Sequence, residues 1–450
     1  MLVALPWTAR AGQQPEAPAP QTVVSPPATT AEPTANSGAV RLSLQDALIL
    51  ARKNSPQFQS AQIDQAIARE DLKQSRAALL PSLNFDNQYL YTQSNGAGGV
   101  RFIANNAVHE YTSQGDVHEV LDLGAIYNLR RQSALAAVAR ARSEIARRGL
   151  VVTVAQSYYA VAAAQLKLEV AQKTAAEGDR FLKITQDLEQ GGEVAHSDVI
   201  KAELQTRERH RQLQEAELNR LKARLDLAVL IFPDFNDNFE VTEDLHSTVP
   251  LPIATEFQAL AVRDNPELRV AFASLQAAGS DVFAVRTGYF PSLTLDYFYG
   301  IDATRFAKYT PVPGGRIPNL GSSVLASVNI PIWNWGITQS KIKQAELRRT
   351  LAQRELSFAR RKIVADTRVL YAEAETSLNE LSSLSRSSEL AAESLRLTTL
   401  RYQDGEATVL EVVDAQNTFA QASTAYQDGA VRYRVALASL QTLTGVLTIP

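Results

Sequence analysis

The 450-residue sequence is written twice, and this duplication constrains the fold more than any single motif within it. Asn54-Ser55-Pro56 recurs as Asp264-Asn265-Pro266, and Leu80-Pro81-Ser82-Leu83 recurs as Phe290-Pro291-Ser292-Leu293, both 210 residues later. The offset grows to 212 between Leu123-Gly124 and Trp335-Gly336, and to 213 between Gln190-Gly191-Gly192-Glu193 and Gln403-Asp404-Gly405-Glu406. The first step falls between the two strands of each half, where a loop absorbs two residues. The second falls between Tyr159/Tyr371 and the glycine turns, inside helical sequence. A period of this size predicts one pseudo-twofold object rather than two or three independent domains.

Helix dominates both halves, because apolar residues recur at three- and four-residue spacing over long stretches without proline. Residues 43–79 form the first such block, opened by Ser43. No proline interrupts Gly124 to Gln190, so a continuous helix there is about 100 Å long. Gly191-Gly192 then reverses the chain into a return helix that ends near Phe232-Pro233. Ile337 to Tyr402, the turn at Gly405, and Val409 to Leu443 repeat this hairpin. Alanines at 134, 136, 137, 139 and 141 permit close helix approach in a coiled-coil-like assembly. Taken alone, the helices describe a soluble coiled coil or rod.

The strands argue otherwise. Leu83, Phe85, Tyr89 and Tyr91 alternate with Asn84, Asp86 and Gln88; Leu293, Leu295, Tyr297, Tyr299 and Ile301 alternate with Thr294, Asp296 and Asp302. Val324, Ala326, Val328, Ile330 and Ile332 form a further stripe. Such alternation predicts one apolar and one polar face. The remaining strand, about Val108 to Leu121, is blurred by His109, Glu110, His118 and Glu119. Asn95-Gly96-Ala97-Gly98-Gly99 and Pro311-Val312-Pro313-Gly314-Gly315 read as exposed loops. Each strand has the length that crosses a bilayer when tilted. Four strands with an apolar face cannot close a barrel, so other chains must complete them: three copies give twelve strands, two give eight.

Composition narrows the function classes. No run of about 18 apolar residues appears, so strands rather than a helix are expected to do any membrane crossing. Net charge is -3 and no basic face stands out, which argues against nucleic acid. Cysteine is absent, excluding disulfides, thiolate metal sites and a lipid-modified cysteine. Residues 1–11 contain a short apolar run and Ala9-Arg10-Ala11 but no basic n-region, and read as an incomplete signal peptide or a chance apolar terminus. Residues 12–40, rich in Pro, Ala and Thr, are expected to be disordered. The remaining divisions are repeat 1 at 41–232, a linker at 233–255, repeat 2 at 256–445 and a tail at 446–450.

The order of helix, Leu-Pro-Ser-Leu strand entry, strand pair, glycine-led long helix and glycine-turn hairpin, twice over residues 41–445, resembles the TolC family of outer-membrane efflux proteins. The resemblance implies a mainly α fold with a β-barrel contribution. In that arrangement a homotrimer builds a twelve-stranded outer-membrane barrel and a helical tunnel across the periplasm. It also implies a passive duct whose hairpin tips, here Gly191, Gly192, Asp404 and Gly405, dock to a periplasmic adaptor and through it to an inner-membrane pump. Several members close the tunnel with a tyrosine and an arginine bonded to an aspartate, beside acidic rings. Tyr402, Asp198, Glu411 and Asp414 match the tyrosine, the aspartate and the ring positions, whereas Ala407 stands where the arginine is expected.

Each of these residues also has a plainer reading. Glu411 and Asp414, three apart, share a helix face that solvent alone would account for; in a trimer they put six carboxylates around one axis. Asp198 suits a helix N-terminus and Tyr402 a helix end. Trp333 and Trp335 fit either a membrane interface or packing at a corner bent by Pro331. His109, His118, His196, His210 and His246 lack ligand spacing, and no nucleophile arrangement, P-loop or dinucleotide fingerprint is present. No enzyme, metal site or cofactor is expected. The alternative to a channel is a soluble periplasmic coiled-coil scaffold.

Overall fold

The computed structural model describes residues 40–91, 109–234, 238–242, 245, 249–251 and 253–445. The possible signal peptide, nearly all of the 12–40 segment, the Asn95–Gly99 loop, His246 and the 446–450 tail lie outside the described residues. From Arg41 onward the chain forms one unit.

Each half opens with a short strand and two helices. β1 (Val40–Leu42) and β4 (Phe239–Val241) pair with each other, which ties the start of one repeat to the start of the other. The segment expected as a linker therefore carries a strand, and α5 begins within it, at Ala254. The helical block expected at 43–79 is two helices, α1 (Leu44–Asn54) and α2 (Pro56–Ala77). The break has a local cause. Proline disfavours α conformation in the residue before it, and Ser55, at ψ 117°, caps α2 by accepting from the Phe58 amide. The second half repeats the device: Asn265 separates α5 (Ala254–Asp264) from α6 (Pro266–Arg286) and accepts from the amides of Glu267 and Leu268.

The long helices run as expected. α3 (Leu123–Gln190) and α4 (His196–Ile231) form the first hairpin; α7 (Ile337–Gln403) and α8 (Val409–Thr444) form the second. α3 and α7 are continuous, so the extra residue of the second repeat is absorbed without a break. The main core sits where these helices meet β1, β4 and α1. Leu48, Val151, Val154, Tyr158, Leu227 and Ile231 are fully buried there, and the Tyr158 hydroxyl donates to the Leu42 carbonyl at 2.9 Å. The two repeats cap their return helices differently. Asn54 Nδ2 donates to the Ile231 carbonyl ending α4, whereas Arg148 donates to the Thr442 and Leu443 carbonyls ending α8 and to the Asp264 carbonyl ending α5.

α3 contains an 18-residue window of mean hydropathy 1.2, long and apolar enough to pass for a membrane span, with half of it buried. Its neighbourhood explains the composition: Leu150, Val151, Val154, Ala155 and Val161 of α3 belong to the core just described.

The four long strands form one antiparallel sheet in the order β2-β3-β5-β8, from β2 (Ser82–Tyr91), β3 (His109–Leu121), β5 (Ser292–Ala303) and β8 (Leu320–Asn329). Register aligns Leu83, Val117, Tyr297 and Val324 in one row, and Asn84, Asp116, Phe298 and Ser323 in the next. The apolar stripe thus runs across all four strands on one face, with Leu83 78% and Val324 74% exposed. β3 blurs its own pattern because Glu119 and Gly115 fall on the apolar face while His118 falls on the polar face. There His118 Nδ1 lies 2.6 Å from Asp296 Oδ1. β8 ends at Asn329, so Ile330 and Ile332 lie beyond the strand expected to include them. The expected loop at 311–315 is instead the turn of a hairpin, β6 (Tyr309–Val312) with β7 (Gly315–Pro318), reversed at Gly314 with φ +92°. Among the described residues, β2 and β8 each pair on one edge only.

Candidate functional site: the hairpin tips

Both hairpins turn by the same motif. Gly192 and Gly405, at φ +76° and +75°, follow the last helical residues in the left-handed region, where a side chain is strained. Glu193 N donates to the Leu188 carbonyl and Gly192 N to that of Glu189. At the other tip, Glu406 N donates to the Arg401 carbonyl and Gly405 N to that of Tyr402. These bonds satisfy the carbonyls that a helix end leaves unpaired. Gly191 and Asp404 occupy the equivalent preceding position with ordinary φ, so only one glycine per tip is required by the backbone.

Tyr402 is buried, 3% exposed, in a cluster with Phe181, Ala202, Val409 and Val412, and Ala407 packs at its edge. Its ring lies 5.1 Å from that of Phe181, and its hydroxyl donates to Thr185 Oγ1 at 3.3 Å. Thr185 passes the chain on, donating to the Phe181 carbonyl at 2.9 Å. Burial raises the Tyr402 phenol above its ordinary pKa; the Thr185 bond opposes this and the nearby Asp198 charge adds to it. Within the chain, therefore, Tyr402 reaches across to α3 rather than bonding to Asp198. Asp198 sits in the first turn of α4, where the helix dipole favours it, and takes Lys201 Nζ at 3.1 Å. Thr185 and Phe181 were not singled out in the sequence, although Phe181, Thr185 and Leu188 recur at the spacing of one helix face.

The acidic pair divides in two. Glu411 closes a capping box: its carboxylate accepts from Thr408 N at 3.3 Å and Thr408 Oγ1 at 3.1 Å, and its own amide donates back to Thr408 Oγ1. Its other oxygen lies 3.8 Å from Arg401 Nη1. Asp414, exposed one turn on, has no partner among the described residues. A basic group thus stands at this tip after all, contributed by Arg401 rather than by position 407. At the first tip, His196 Nδ1 lies 2.7 Å from Glu189 Oε1.

The remaining singled-out residues lie elsewhere. Trp333 and Trp335 are exposed between β8 and α7 with rings 5.8 Å apart, Trp335 at φ +54°. His210 Nε2 meets Asp179 Oδ1 at 2.9 Å, and the Tyr89 hydroxyl meets His109 Nδ1 at 2.7 Å.

Paired helical hairpins, each with one arm about 100 Å long, attached to an open antiparallel sheet with an apolar face, define an outer-membrane channel protein. The outer membrane efflux protein model matches residues 47–231 and 259–446 in two segments, the two halves of the duplication. The chain belongs to that family.

The chain is 24% identical to outer membrane protein TolC of Vibrio cholerae over 88% of its length and 89% of that protein. It is 28% identical to the pyoverdine export outer membrane protein OpmQ of Pseudomonas aeruginosa over 82% of its length and 77% of that protein. Among solved structures, the fold matches the outer-membrane channel OprN with a TM-score of 0.79 at 18% identity, covering 90% of this chain and 91% of that one. It matches the CmeC outer membrane channel of Campylobacter jejuni with a TM-score of 0.80 at 17% identity, covering 89% and 85%. The soluble-scaffold alternative finds no support among these relatives.

Proposed function

We propose that three copies of this chain build a passive export duct, gated at the hairpin tips and filled by an inner-membrane pump through a periplasmic adaptor. The observation that carries this reading is the four-stranded sheet: its apolar face is exposed and both its edges are open in one chain. An open apolar sheet is untenable in lipid, and three copies close it into twelve strands whose apolar face meets the lipid tails. The duct performs no chemistry of its own, and its energy comes from the partner.

At the tips, the buried Tyr402 cluster holds α7 against α3. Glu411 and Asp414 present carboxylates to the constriction, and Asp198 adds charge beside it. The turn residues Gly191, Gly192, Asp404 and Gly405 are exposed at the ends of the hairpins, where an adaptor can reach them.

Native mass measurement of the detergent-purified protein, with single-channel current in a planar bilayer, tests the reading. A mass of three chains and small cation-preferring steps are expected. A two-chain mass would replace the twelve-stranded barrel with eight strands, and a folded protein that never inserts would remove the duct.

A further inference from the structure

Above the tips, α3, α4 and α8 enclose a groove of about 930 Å³ that holds a buried charge. Arg209 of α4 is 2% exposed, yet its acceptors are neutral amides. Nη2 donates to Asn417 Oδ1 of α8 at 2.7 Å, and Nη1 donates to Gln212 Oε1 at 2.9 Å. Gln205, with its amide oxygen turned to the guanidinium, accepts from Nη2 at 2.9 Å and from Nε at 3.2 Å. Gln205, Arg209 and Gln212 share one face of α4 by their spacing. The neighbouring Glu208 is bonded to Arg211 and Gln212 instead. Burial lowers the Arg209 pKa, with Glu208 opposing.

This arrangement links the two repeats. Arg209 belongs to the first hairpin and Asn417 to the second, and α4 and α8 share few other contacts. At the offset of 213 that relates the two tips, Arg209 corresponds to Ala422 and Asn417 to Leu204, so the device occurs once per chain. A buried guanidinium that loses an acceptor must be resolvated, and this cost falls on any motion that draws α8 away from α4. The Lys167–Asp428 pair also spans the groove, from α3 to α8, but it is exposed and correspondingly weak.

We propose that Arg209, bonded to Asn417 across the groove, is a second latch holding the two hairpins of one chain together in the closed state. It is a positioning residue acting above the tip, and the inference rests on the gated-duct reading. Arg209 supplies between the hairpins the cationic hydrogen bonding that Ala407 cannot provide at the tip.

The test is open probability of the full-length protein in planar bilayers for wild type, Arg209→Met, Asn417→Ala, the double variant and Asn417→Asp. Each of the first two single variants is expected to raise open probability about tenfold, the scale of one charge-assisted hydrogen bond. The double variant should rise no further than the larger single one. Asn417→Asp gives the guanidinium an ionic partner and should fall below wild type, a change that mere loss of packing would not produce. Unchanged or fully additive singles overturn the latch while wild-type steps leave the duct standing; a wild type without steps overturns both. Where Arg209→Met fails to fold, the Asn417 pair decides: shifts of opposite sign support the latch, and shifts of the same sign overturn it.

Discussion

Tyr402 of α7 donates its hydroxyl to Thr185 of α3 at 3.3 Å, joining the ends of the two hairpins through side chains 217 positions apart in the chain. The contact has an apolar part, the ring against Phe181, and a polar part, the hydroxyl, and substitution separates them. Tyr402→Phe keeps the ring and leaves Thr185 free to retain its bond to Phe181, so it should cost about 1 kcal/mol of closed-state stability. Tyr402→Ala should cost about 3–5 kcal/mol. Leak current should therefore rise slightly in the first variant and strongly in the second; equal leak in both would show that packing at this point does not hold the gate.

The phenol also sets a pH limit. Its folded-state pKa is raised above the ordinary value of 10.0, so the protonated form is the one that packing favours. Stability from this group is fully present below pH 10 and is lost as pH rises through the raised folded pKa. Conductance measured from pH 6 to 9 should show no contribution from Tyr402. A rise at more alkaline pH should appear in wild type and be reduced in Tyr402→Phe.

Glu411 caps α8, and its proposed role as a constriction charge can be separated from that one. Glu411→Gln retains an acceptor for Thr408 while removing the charge; Glu411→Ala loses both and should cost about 1 kcal/mol in helix stability. Reversal potentials should show reduced cation preference in Glu411→Gln/Asp414→Asn with thermal stability near that of wild type. Undiminished selectivity would place the constriction elsewhere.

Gly192→Ala and Gly405→Ala force a β-carbon into left-handed backbone and should each cost about 1–2 kcal/mol, whereas Gly191→Ala should be nearly neutral. Thermal melts of the three variants check this order. In this cysteine-free chain, Gly191→Cys and Asp404→Cys provide single attachment points, and cross-linking to an adaptor at both would support docking at the tips.

Gly300→Ala tests the sheet. A β-carbon there would lie 2.3 Å from Gln114 Cα and from the Ser113 carbonyl oxygen, which are backbone atoms with nowhere to move. β3 and β5 should lose their register, and a native mass measurement should no longer find the assembled oligomer. A normal oligomer would mean that the two strands lie farther apart than the structure places them.

Much of the fold was legible in the sequence, because its signals are local. Ser55-Pro56 and Asn265-Pro266 mark helix starts, Gly192 and Gly405 mark turns that demand positive φ, and alternation in Leu83–Tyr91 and Leu293–Ile301 marks strands. Where local signals are mixed, the sequence points past the true boundaries. The block at 43–79 ran through a proline break, the Val324 stripe extended past Asn329, and the turn at 311–315 concealed a hairpin. The acidic pair was legible as a spacing, but the engagement of Glu411 by Thr408 and Arg401 was not.

By itself, the sequence determined a duplicated chain of long hairpins and amphipathic strands, since helix periodicity, strand alternation and turn chemistry depend on residues within a few positions of one another. Only the tertiary structure decided which side chains meet across the repeats. Tyr402 meets Thr185 rather than Asp198, and Arg209 meets Asn417, because each partner depends on how two helices are rotated and offset against each other. That rotation is set by packing summed over the length of the hairpins, and no short stretch of sequence contains it.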